Sequence, residues 1–459
     1  MENTTVAALS SYPGKAAAAL IRITGPDTLK TVVSIFRTAS GRNLPSFTPR
    51  VQYYGEIFSE TGALDRVLLS YFPAPYSYTG EDMAEISCHG SPLIASMILK
   101  LLYSRGCAAA EAGEFTRRAF MNGKMDLPAA EAVADLISAR SPAAAEIALN
   151  ILKGRETEAV EGLRQKLISL LTLLETDIDF AYDDTEAAGR EKSLLMLSGI
   201  KSCALHLLKN CEAGLLIKEG AKIAIAGRPN TGKSSLLNAL LGTQRAIVTE
   251  IPGTTRDTIE AQSEIAGLPV RLTDTAGIRE TSDPVESEGV KRAVAETASS
   301  SLVLFVADGS EPLTAGDLQA YEKIKNRPSI IVINKSDLKP AFETEKAGSF
   351  FSTAAPCAAV SAKTGAGIQG LTSLIKKVIM GEDYEGTGSI VIANERHRQA
   401  LISTVDALDR AIAGVQSGFK PELAAVDVKK CADSLSLITG KIASDDVLND
   451  VFSKFCIGK

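Results

Sequence analysis

The sequence lacks any long hydrophobic run. Its longest apolar stretches, among them AAAALI, SLVLFVA and IIVI, are far shorter than the roughly 20 residues that a membrane-spanning helix needs. The N-terminal segment MENTTVAALSS has no positively charged region and no apolar core, so a signal peptide is not expected. These absences predict a soluble, cytoplasmic protein that does not associate with membranes.

Cysteine pairs, histidine and excess positive charge are also scarce. The 7 cysteines form no C-x-x-C pair and none of the zinc-binding spacings, and only 3 histidines accompany them. Scattered, unpaired cysteines suit a reducing cytosol. The net charge of -6 gives the chain as a whole no electrostatic attraction for nucleic acid, so an RNA partner would meet a local patch or another protein.

What is present is the ordinary composition of a large globular protein. The chain has 459 residues, of which 45% are apolar and 23% charged, and this length favours about three domains. Residues 1–120 are predicted to be α+β. VQYYGEIF and DRVLLSYF are typical of strands, and PLIASMILKLLYSRG predicts a helix that ends at Gly106.

Two segments, residues 121–216 and 384–459, show the spacing of amphipathic helices. The apolar residues at steps of three and four are Leu197, Ile200, Ala204, Leu207, Cys211 and Leu215 in the first segment, and Leu401, Val405, Leu408, Ile412, Val415, Val428, Cys431, Leu435, Ile438 and Ile442 in the second. The segments form either two small bundles or one helical domain split in sequence. The single domain is favoured because a larger core is more stable.

The intervening residues 217–383 alternate strands with helices. The expected fold is therefore multidomain. It has an α+β N-terminal domain (1–120), an all-α helical domain split in sequence (121–216 and 384–459), and an inserted α/β domain (217–383).

The inserted domain begins with a phosphate-binding motif. In KIAIAGRPNTGKSSLLNALLG a buried strand, Lys222 to Ala226, runs into G-x-x-x-x-G-K-S and then a helix. That context is the one a P-loop requires, because backbone N–H groups and a helix N-terminus hold the phosphates. Lys233 is expected to reach the β- and γ-phosphates, and the Ser234 hydroxyl is expected to bind Mg²⁺.

Base recognition is predicted from two later strands. SIIVINKSD ends in a motif whose Asp337 carboxylate can accept two hydrogen bonds from guanine, which adenine cannot offer. CAAVSAKTG places the backbone of Ser361, Ala362 and Lys363 near the guanine O6. Together with DTAG at residues 274–277, these motifs follow the order of a Ras-like P-loop GTPase and favour GTP over ATP.

The segments between these motifs carry the hydrolysis chemistry. In VTEIPGTTRDT, Thr255 is the expected switch threonine that completes the Mg²⁺ shell, and Asp274 is the expected acidic residue behind it. Ras-type enzymes place a water-orienting glutamine after the DTAG turn. Here Ile278 follows, which cannot orient water. Arg256 and Arg279 are each either an arginine finger or a solvated loop arginine.

The predicted GTP-binding set combines all of these motifs. It comprises Asn230, Thr231, Gly232, Lys233, Ser234, Ser235, Thr249, Glu250, Ile251, Pro252, Gly253, Thr254, Thr255, Asp274, Thr275, Ala276, Gly277, Asn334, Lys335, Asp337, Ser361, Ala362 and Lys363.

The order of parts resembles one family over essentially the whole chain, the tRNA-uridine-modifying GTPases called MnmE or TrmE. The resemblance rests on YTGED, GEFTRRAFMNGKMDL, PGTTRD and the terminal FCIGK. It implies activation by G-domain dimerisation with K⁺, whose charge replaces that of an arginine finger. The implied K⁺ ligands are Asn230, the carbonyls of Thr249 and Ile251, and the Thr254 hydroxyl. Glu286 would replace the missing glutamine, acting through a bridging water.

The resemblance also implies the chemistry of the N-terminal domain. This domain would form a homodimer and bind 5-formyl- or methylene-tetrahydrofolate through Arg22, Glu85, Lys124 and Lys459. With a flavin-dependent, FAD-containing partner of MnmG (GidA) type in a heterotetramer, the family installs a carboxymethylaminomethyl-type group at C5 of the wobble uridine of certain tRNAs. A GTP-switched interaction protein in ribosome assembly or signalling is the alternative function.

Two local features bear on the backbone ahead of Arg22 and on the role of Cys456. PGKAAAALIRITG has alanines where the family has glycines, which makes the backbone ahead of Arg22 an open question. In SDDVLNDVFSKFCIGK, Ser444 is the expected N-cap of a helix whose buried stripe is Val447, Leu448, Val451, Phe452 and Phe455. Cys456 lies at the C-terminal end of that helix, which does not activate a thiol, so its only local activation would come from Lys454 and Lys459. A nucleophilic and a structural role for Cys456 therefore both stay open.

Overall fold

The structure is a computed structural model that describes residues 4–40, 46–60, 62–179, 186–242, 260–274, 300–381, 386, 392–417 and 421–459. The chain divides into two units. The first contains Met1–Ile137, Ile151–Lys201 and Ser403–Lys459, and the second contains Ser138–Asn150 and Ser202–Ile402.

The strands and helices of the described residues are as follows. The strands are β1 (Val6–Leu9), β2 (Ala18–Thr24), β3 (Phe36–Thr38), β4 (Gln52–Ser59), β5 (Gly62–Phe72), β6 (Met83–His89), β7 (Ala108–Ala109), β8 (Ala221–Ala226), β9 (Glu260–Ile265), β10 (Leu268–Asp274), β11 (Leu302–Asp308), β12 (Ser329–Asn334) and β13 (Cys357–Ala359). The helices are α1 (Thr28–Ile35), α2 (Pro92–Ser104), α3 (Glu114–Met121), α4 (Leu127–Ser138), α5 (Pro142–Leu152), α6 (Arg155–Asp179), α7 (Glu186–Glu219), α8 (Lys233–Gly242), α9 (Ala315–Glu322), α10 (Thr344–Phe350), α11 (Ile368–Met380), α12 (Glu395–Gln416), α13 (Pro421–Thr439) and α14 (Asp445–Ser453).

The N-terminal part of the first unit is a sheet packed on two helices. Its strand order is β3-β4-β5-β6-β2-β1-β7, antiparallel except for the β1–β7 pair. One sheet face, including Ile21 and Ile86, is fully buried against α1 and α2, whose core residues include Ile35 and Ile98. Helix α2 ends two residues before Gly106, whose φ of 98° halts the helix. The α+β prediction for this part is confirmed.

Helices from before and after the inserted domain meet in the same unit. α13 packs along α6, and Lys441 Nζ lies 2.8 Å from a Glu161 oxygen. The prediction of one helical domain split in sequence is thus confirmed, whereas its residue boundaries remain a prediction. The placement of Ile442 on the helical stripe is wrong. Gly440 has a φ of 78° just beyond α13, and Ile442, past it, is 53% exposed.

The C-terminal segment returns to the N-terminal sheet. Ser444 caps α14 by accepting a hydrogen bond from the Val447 N–H, as predicted. The predicted stripe packs on Leu127 and its neighbours, with Phe452 at 2% exposure. Beyond α14 the chain runs back to the end of β1, where Ser10 Oγ donates to the Gly458 carbonyl at 2.8 Å. The tail is therefore held by a hydrophobic cluster and by hydrogen bonds of its own backbone.

The second unit contains the expected α/β sheet, ordered β13-β12-β11-β8-β10-β9. All its strand pairs are parallel except β9–β10. Every residue of β11 and β12 is buried, which explains their unbroken apolar sequences. Because the central strands are parallel, their carboxyl ends share one edge. That edge carries Gly227, Asp308 and Asn334.

Across the described residues, no helix combines the length and the apolar composition that crossing a membrane requires.

We expect Phe452→Ala to weaken the first unit strongly. Phe452 is buried and contacts the Phe120 and Phe455 rings, at centroid distances of 6.4 and 5.6 Å. Its truncation should lower the free energy of unfolding by about 3–5 kcal/mol. Denaturant unfolding of the full chain measures this, with Leu423→Ala as the control, since Leu423 is 51% exposed. Equal losses in the two variants would contradict the packing of α14.

Candidate functional site

The phosphate loop is built around two glycines that no other residue could replace. Gly227 follows β8 with a φ of 144°, and a Cβ there would lie 2.3 Å from the Val306 carbonyl oxygen. Gly232 has a φ of 90°, and a Cβ there would lie 2.2 Å from Asn334 Nδ2. The loop thus turns tightly beside β11 and β12, and α8 begins directly after it at Lys233.

Lys233 and the first turn of α8 have the chemistry of a phosphate site. Lys233 is buried, and its Nζ donates to the carbonyl oxygens of Gly227 and Arg228 at 3.0 and 2.5 Å. Ser234 and Ser235 are exposed in the first turn, where the helix dipole favours anions and the Ser234 hydroxyl can bind a metal ion. Asn230 is exposed with a φ of 66°. These residues fit a nucleotide phosphate with Mg²⁺.

Asn334 connects the phosphate loop to the guanine-recognition segments. It is only 2% exposed, and its Nδ2 donates to the Thr231 carbonyl at 2.9 Å. Its Oδ1 accepts from the Ala362 N–H at 3.0 Å. A single buried amide therefore fixes three predicted motifs relative to one another.

Asp337, the predicted guanine acceptor, is oriented by a neighbouring hydroxyl group. Ser361 Oγ donates to its Oδ1 at 2.6 Å. This hydrogen bond, with the nearby charge of Lys363, lowers the pKa of the Asp337 carboxyl below its ordinary value. The carboxyl is therefore ionised at neutral pH, as a guanine acceptor must be.

Lys335 is anchored by a residue that the sequence reasoning missed. Its Nζ lies 2.5 Å from Asp308 Oδ2, and its φ is 64°. Burial opposes the ionisation of Asp308, but hydrogen bonds from Lys335 and Ser310 outweigh it and lower the Asp308 pKa. Asp308 ends β11, next to β12 in the parallel sheet, so its position at a strand end was the available signal.

The remaining hydrolysis residues are only partly covered by the structure. Asp274 ends β10 and pairs with Ile225 of β8, which places its backbone beside the strand that leads into the phosphate loop. Outside the described residues lie Thr249, Glu250, Ile251, Pro252, Gly253, Thr254, Thr255, Arg256, Thr275, Ala276, Gly277, Ile278, Arg279 and Glu286.

A second polar cluster lies on the N-terminal sheet. Arg22 of β2 and Glu85 of β6 are cross-strand partners, and Arg22 Nε lies 2.9 Å from Glu85 Oε1. The Arg22 guanidinium lies 5.6 Å from the centre of the Tyr78 ring, another residue that the sequence reasoning missed. Lys459 lies within electrostatic range of this pair, and burial together with the Arg22 charge lowers the pKa of its ammonium group. Two of the four residues predicted to bind folate, Arg22 and Glu85, are thus in direct contact.

The alanines ahead of Arg22 do not disturb this arrangement. Ala18 and Ala19 lie within β2 and pair in register with His89 and Cys88.

Lys124 and Cys456 make their contacts with other parts of the chain. Lys124 is exposed, and its Nζ donates to the Pro75 carbonyl at 3.0 Å. Cys456 is an exposed free thiol, and its backbone carbonyl accepts from the Gly113 N–H at 3.5 Å.

Taken together, a P-loop with a guanine-recognition motif on a parallel sheet defines a GTPase of the P-loop class. The chain belongs to the MnmE family. Residues 127–456 match the description "MnmE helical domain", and residues 5–124 match "GTP-binding protein TrmE N-terminus".

Similar proteins match over the full length. The tRNA modification GTPase MnmE of Aquifex aeolicus (strain VF5) is 41% identical over 456 residues, covering 99% of each chain. That of Natranaerobius thermophilus is 39% identical over 461 residues, covering 100% of each. That of Clostridioides difficile (strain 630) is 38% identical over 455 residues, covering 99% of each. The predicted family, the fold class and the identification as a GTP hydrolase are confirmed.

We expect Asn334→Ala to reduce GTP affinity, because it leaves the Thr231 carbonyl and the Ala362 N–H without their buried partner. The loss should be about ten- to a hundredfold, corresponding to one or two unsatisfied buried groups. Titration with a fluorescent GTP analogue measures it. Asn122→Ala is the matched control, since Asn122 is an exposed asparagine of the first unit whose amide donates to the Thr79 carbonyl at 2.8 Å. Wild-type affinity in Asn334→Ala would contradict the bridging role.

Proposed function

We propose that this chain hydrolyses GTP as one step of tRNA modification and uses a tetrahydrofolate one-carbon donor. The product would be a carboxymethylaminomethyl-type group at C5 of the wobble uridine of certain tRNAs. Membership of the MnmE family supports the role in tRNA modification. The observation that supports the folate part is the Arg22–Glu85 pair, together with the C-terminal Lys459, whose charge interacts with both residues and whose carbonyl accepts from the Phe115 N–H.

The N-terminal cluster has the chemistry that a folate needs. The pterin ring presents a donor–donor edge, which suits the Glu85 carboxylate. The carboxylates and formyl oxygen of a folate are acceptors, which suits the Arg22 guanidinium and the Lys459 ammonium. The Tyr78 ring beside Arg22 adds an aromatic surface. When bound, the folate would supply the one-carbon unit, and these residues would orient it and replace its water shell.

Lys124 would act from a neighbouring segment. It contacts Pro75, and its aliphatic chain lies against Gly80, where a Cβ would be 3.2 Å from Lys124 Cγ. Gly80 belongs to the YTGED segment that also contains Tyr78. Lys124 would therefore meet the ligand from beside this segment. For Cys456, which is exposed between α14 and Lys459, a nucleophilic and a positioning role both remain open.

The residues of the GTPase centre would divide the binding and hydrolysis of GTP among them. Lys233 would bind the β- and γ-phosphates, while Ser234 and Thr255 would hold Mg²⁺. Asn230, with Thr249, Ile251 and Thr254, would ligate K⁺ where its charge stabilises the transition state. Asp337 selects guanine, and Glu286 would orient the attacking water through a bridging water.

The proposal also includes the proteins with which the chain would assemble. The N-terminal domains would pair two copies of the chain, and an FAD-containing partner of MnmG type would join them in a heterotetramer in the cytoplasm. The FAD of that partner would supply the redox chemistry.

The folate proposal predicts that 5-formyltetrahydrofolate binds the wild-type chain and binds Glu85→Gln at least about tenfold more weakly, because a charge-assisted hydrogen bond is lost. GTP hydrolysis should not change. Isothermal titration of the full-length variants measures binding. Glu56→Gln is the matched control, since Glu56 forms a similar cross-strand pair with Arg66 at 3.1 Å. Absence of binding to the wild type would remove folate from the proposal and leave the GTPase intact.

The cation proposal predicts faster GTP turnover in K⁺ than in Na⁺, by at least about tenfold, because the larger ion suits the proposed ligands and stabilises developing charge. Asn230→Ala should abolish this difference while GDP still binds through Lys233 and Asp337. Steady-state rates at equal ionic strength measure the effect. Equal rates of the wild type in the two salts would instead favour Arg256 or Arg279 as the source of positive charge.

A further inference from the structure

The segment between β11 and α9 carries an acidic residue at each end, and each one holds a different nucleotide motif. Asp308, at the end of β11, pairs with Lys335 of the guanine motif. Asp317, in the first turn of α9, pairs with Arg228 of the phosphate loop, with Arg228 Nε 2.7 Å from Asp317 Oδ1. The Arg228–Asp317 pair lies outside every predicted motif role, since Arg228 occupies a variable position of G-x-x-x-x-G-K-S.

Asp317 is a rigid anchor. Its side chain is only 1% exposed, and its second oxygen, Oδ2, accepts from the Thr314 N–H and hydroxyl at 2.9 and 2.8 Å. These bonds form a capping box that begins α9. Both carboxylate oxygens therefore have fixed donors, and one of those donors is the Arg228 guanidinium. Gly316 leaves room for it, because a Cβ there would lie 3.2 Å from Arg228 Cδ.

Arg228 connects the fixed Asp317 carboxylate to the phosphate loop through its own backbone carbonyl. Its carbonyl oxygen accepts from Lys233 Nζ at 2.5 Å and from the Thr231 hydroxyl at 3.0 Å. The side chain of Arg228 is thus held by α9 on one side, while its carbonyl holds the phosphate-binding lysine on the other. Rotation of this peptide group would move the Arg228 carbonyl oxygen away from Lys233 Nζ.

We propose that Arg228 and Asp317 are positioning residues for GTP: their ion pair orients the Arg228 carbonyl, which holds Lys233 where the nucleotide phosphates bind. The pair acts through Lys233 and the loop backbone. Lys233 contacts phosphate both in the ground state and in the transition state. Loss of the pair therefore weakens binding in both states and raises KM more than it lowers kcat. A purely structural role would instead lower the amount of active enzyme, which reduces kcat at constant KM.

The test compares the steady-state GTP hydrolysis of full-length Arg228→Ala, Asp317→Asn and the double variant with that of the wild type. Each single variant should raise KM about tenfold, the effect of one charged hydrogen bond, with kcat within about twofold. The double variant should resemble Arg228→Ala, because both remove the pair with Asp317 and the longer contact of Arg228 with Glu311, at 3.9 Å. Arg228→Lys keeps the positive charge facing Asp317. Its KM should therefore lie between that of Arg228→Ala and that of the wild type.

The matched control is Arg327→Ala, an exposed arginine of the same unit, which should leave both constants unchanged. An Arg228→Ala or Asp317→Asn variant whose KM is unchanged, or whose kcat falls by as much as its KM rises, overturns the proposal. So does a double variant whose KM rises by the product of the two single effects. If Arg228→Ala does not fold, Asp317→Asn is judged by the same criterion, and an Arg228→Lys variant with a higher KM than Asp317→Asn overturns the proposal.

Discussion

The second unit depends on one buried amide. Asn334 donates to the phosphate loop at Thr231 and accepts from the guanine-recognition segment at Ala362. It reaches both because Gly232 has no side chain, since a Cβ there would overlap the Asn334 amide nitrogen. Asn334 is thus a structural residue inside a recognition motif. Its two hydrogen bonds explain why phosphate and base contacts, which come from distant parts of the sequence, share one geometry.

The first unit obtains its polar cluster differently, from residues far apart in sequence. Arg22 and Glu85 face each other because β2 and β6 are antiparallel neighbours in register. Lys459 joins them because α14 buries an apolar stripe and because the backbone beyond it bonds to Ser10 and Phe115. The packing of α14 therefore determines whether the last residue reaches the sheet. Apolar burial holds the C-terminal segment in place, and the charged side chains form the polar cluster.

Contiguous patterns could be predicted from the sequence, whereas pairs joined only by the fold could not. The prediction of the strand, loop and helix around Lys233 was correct, because each part of that motif follows the previous one along the chain. Periodicity also predicted α13, but it extended the helix to Ile442 because it ignored the positive φ that Gly440 permits. The Arg228–Asp317 pair could not be predicted, because no periodicity relates a loop arginine to a helix-capping aspartate.

The return of the C-terminal tail also sets an order of assembly during synthesis. The strands that carry Arg22 and Glu85 leave the ribosome early and can pair at once, since β2 and β6 are neighbours. Lys459 follows only after the entire GTPase domain and the second helical segment have been made. A nascent chain can therefore acquire its nucleotide-binding fold while the N-terminal cluster is still incomplete. Until that segment has been made, the Arg22–Glu85 pair lacks the positive charge of Lys459.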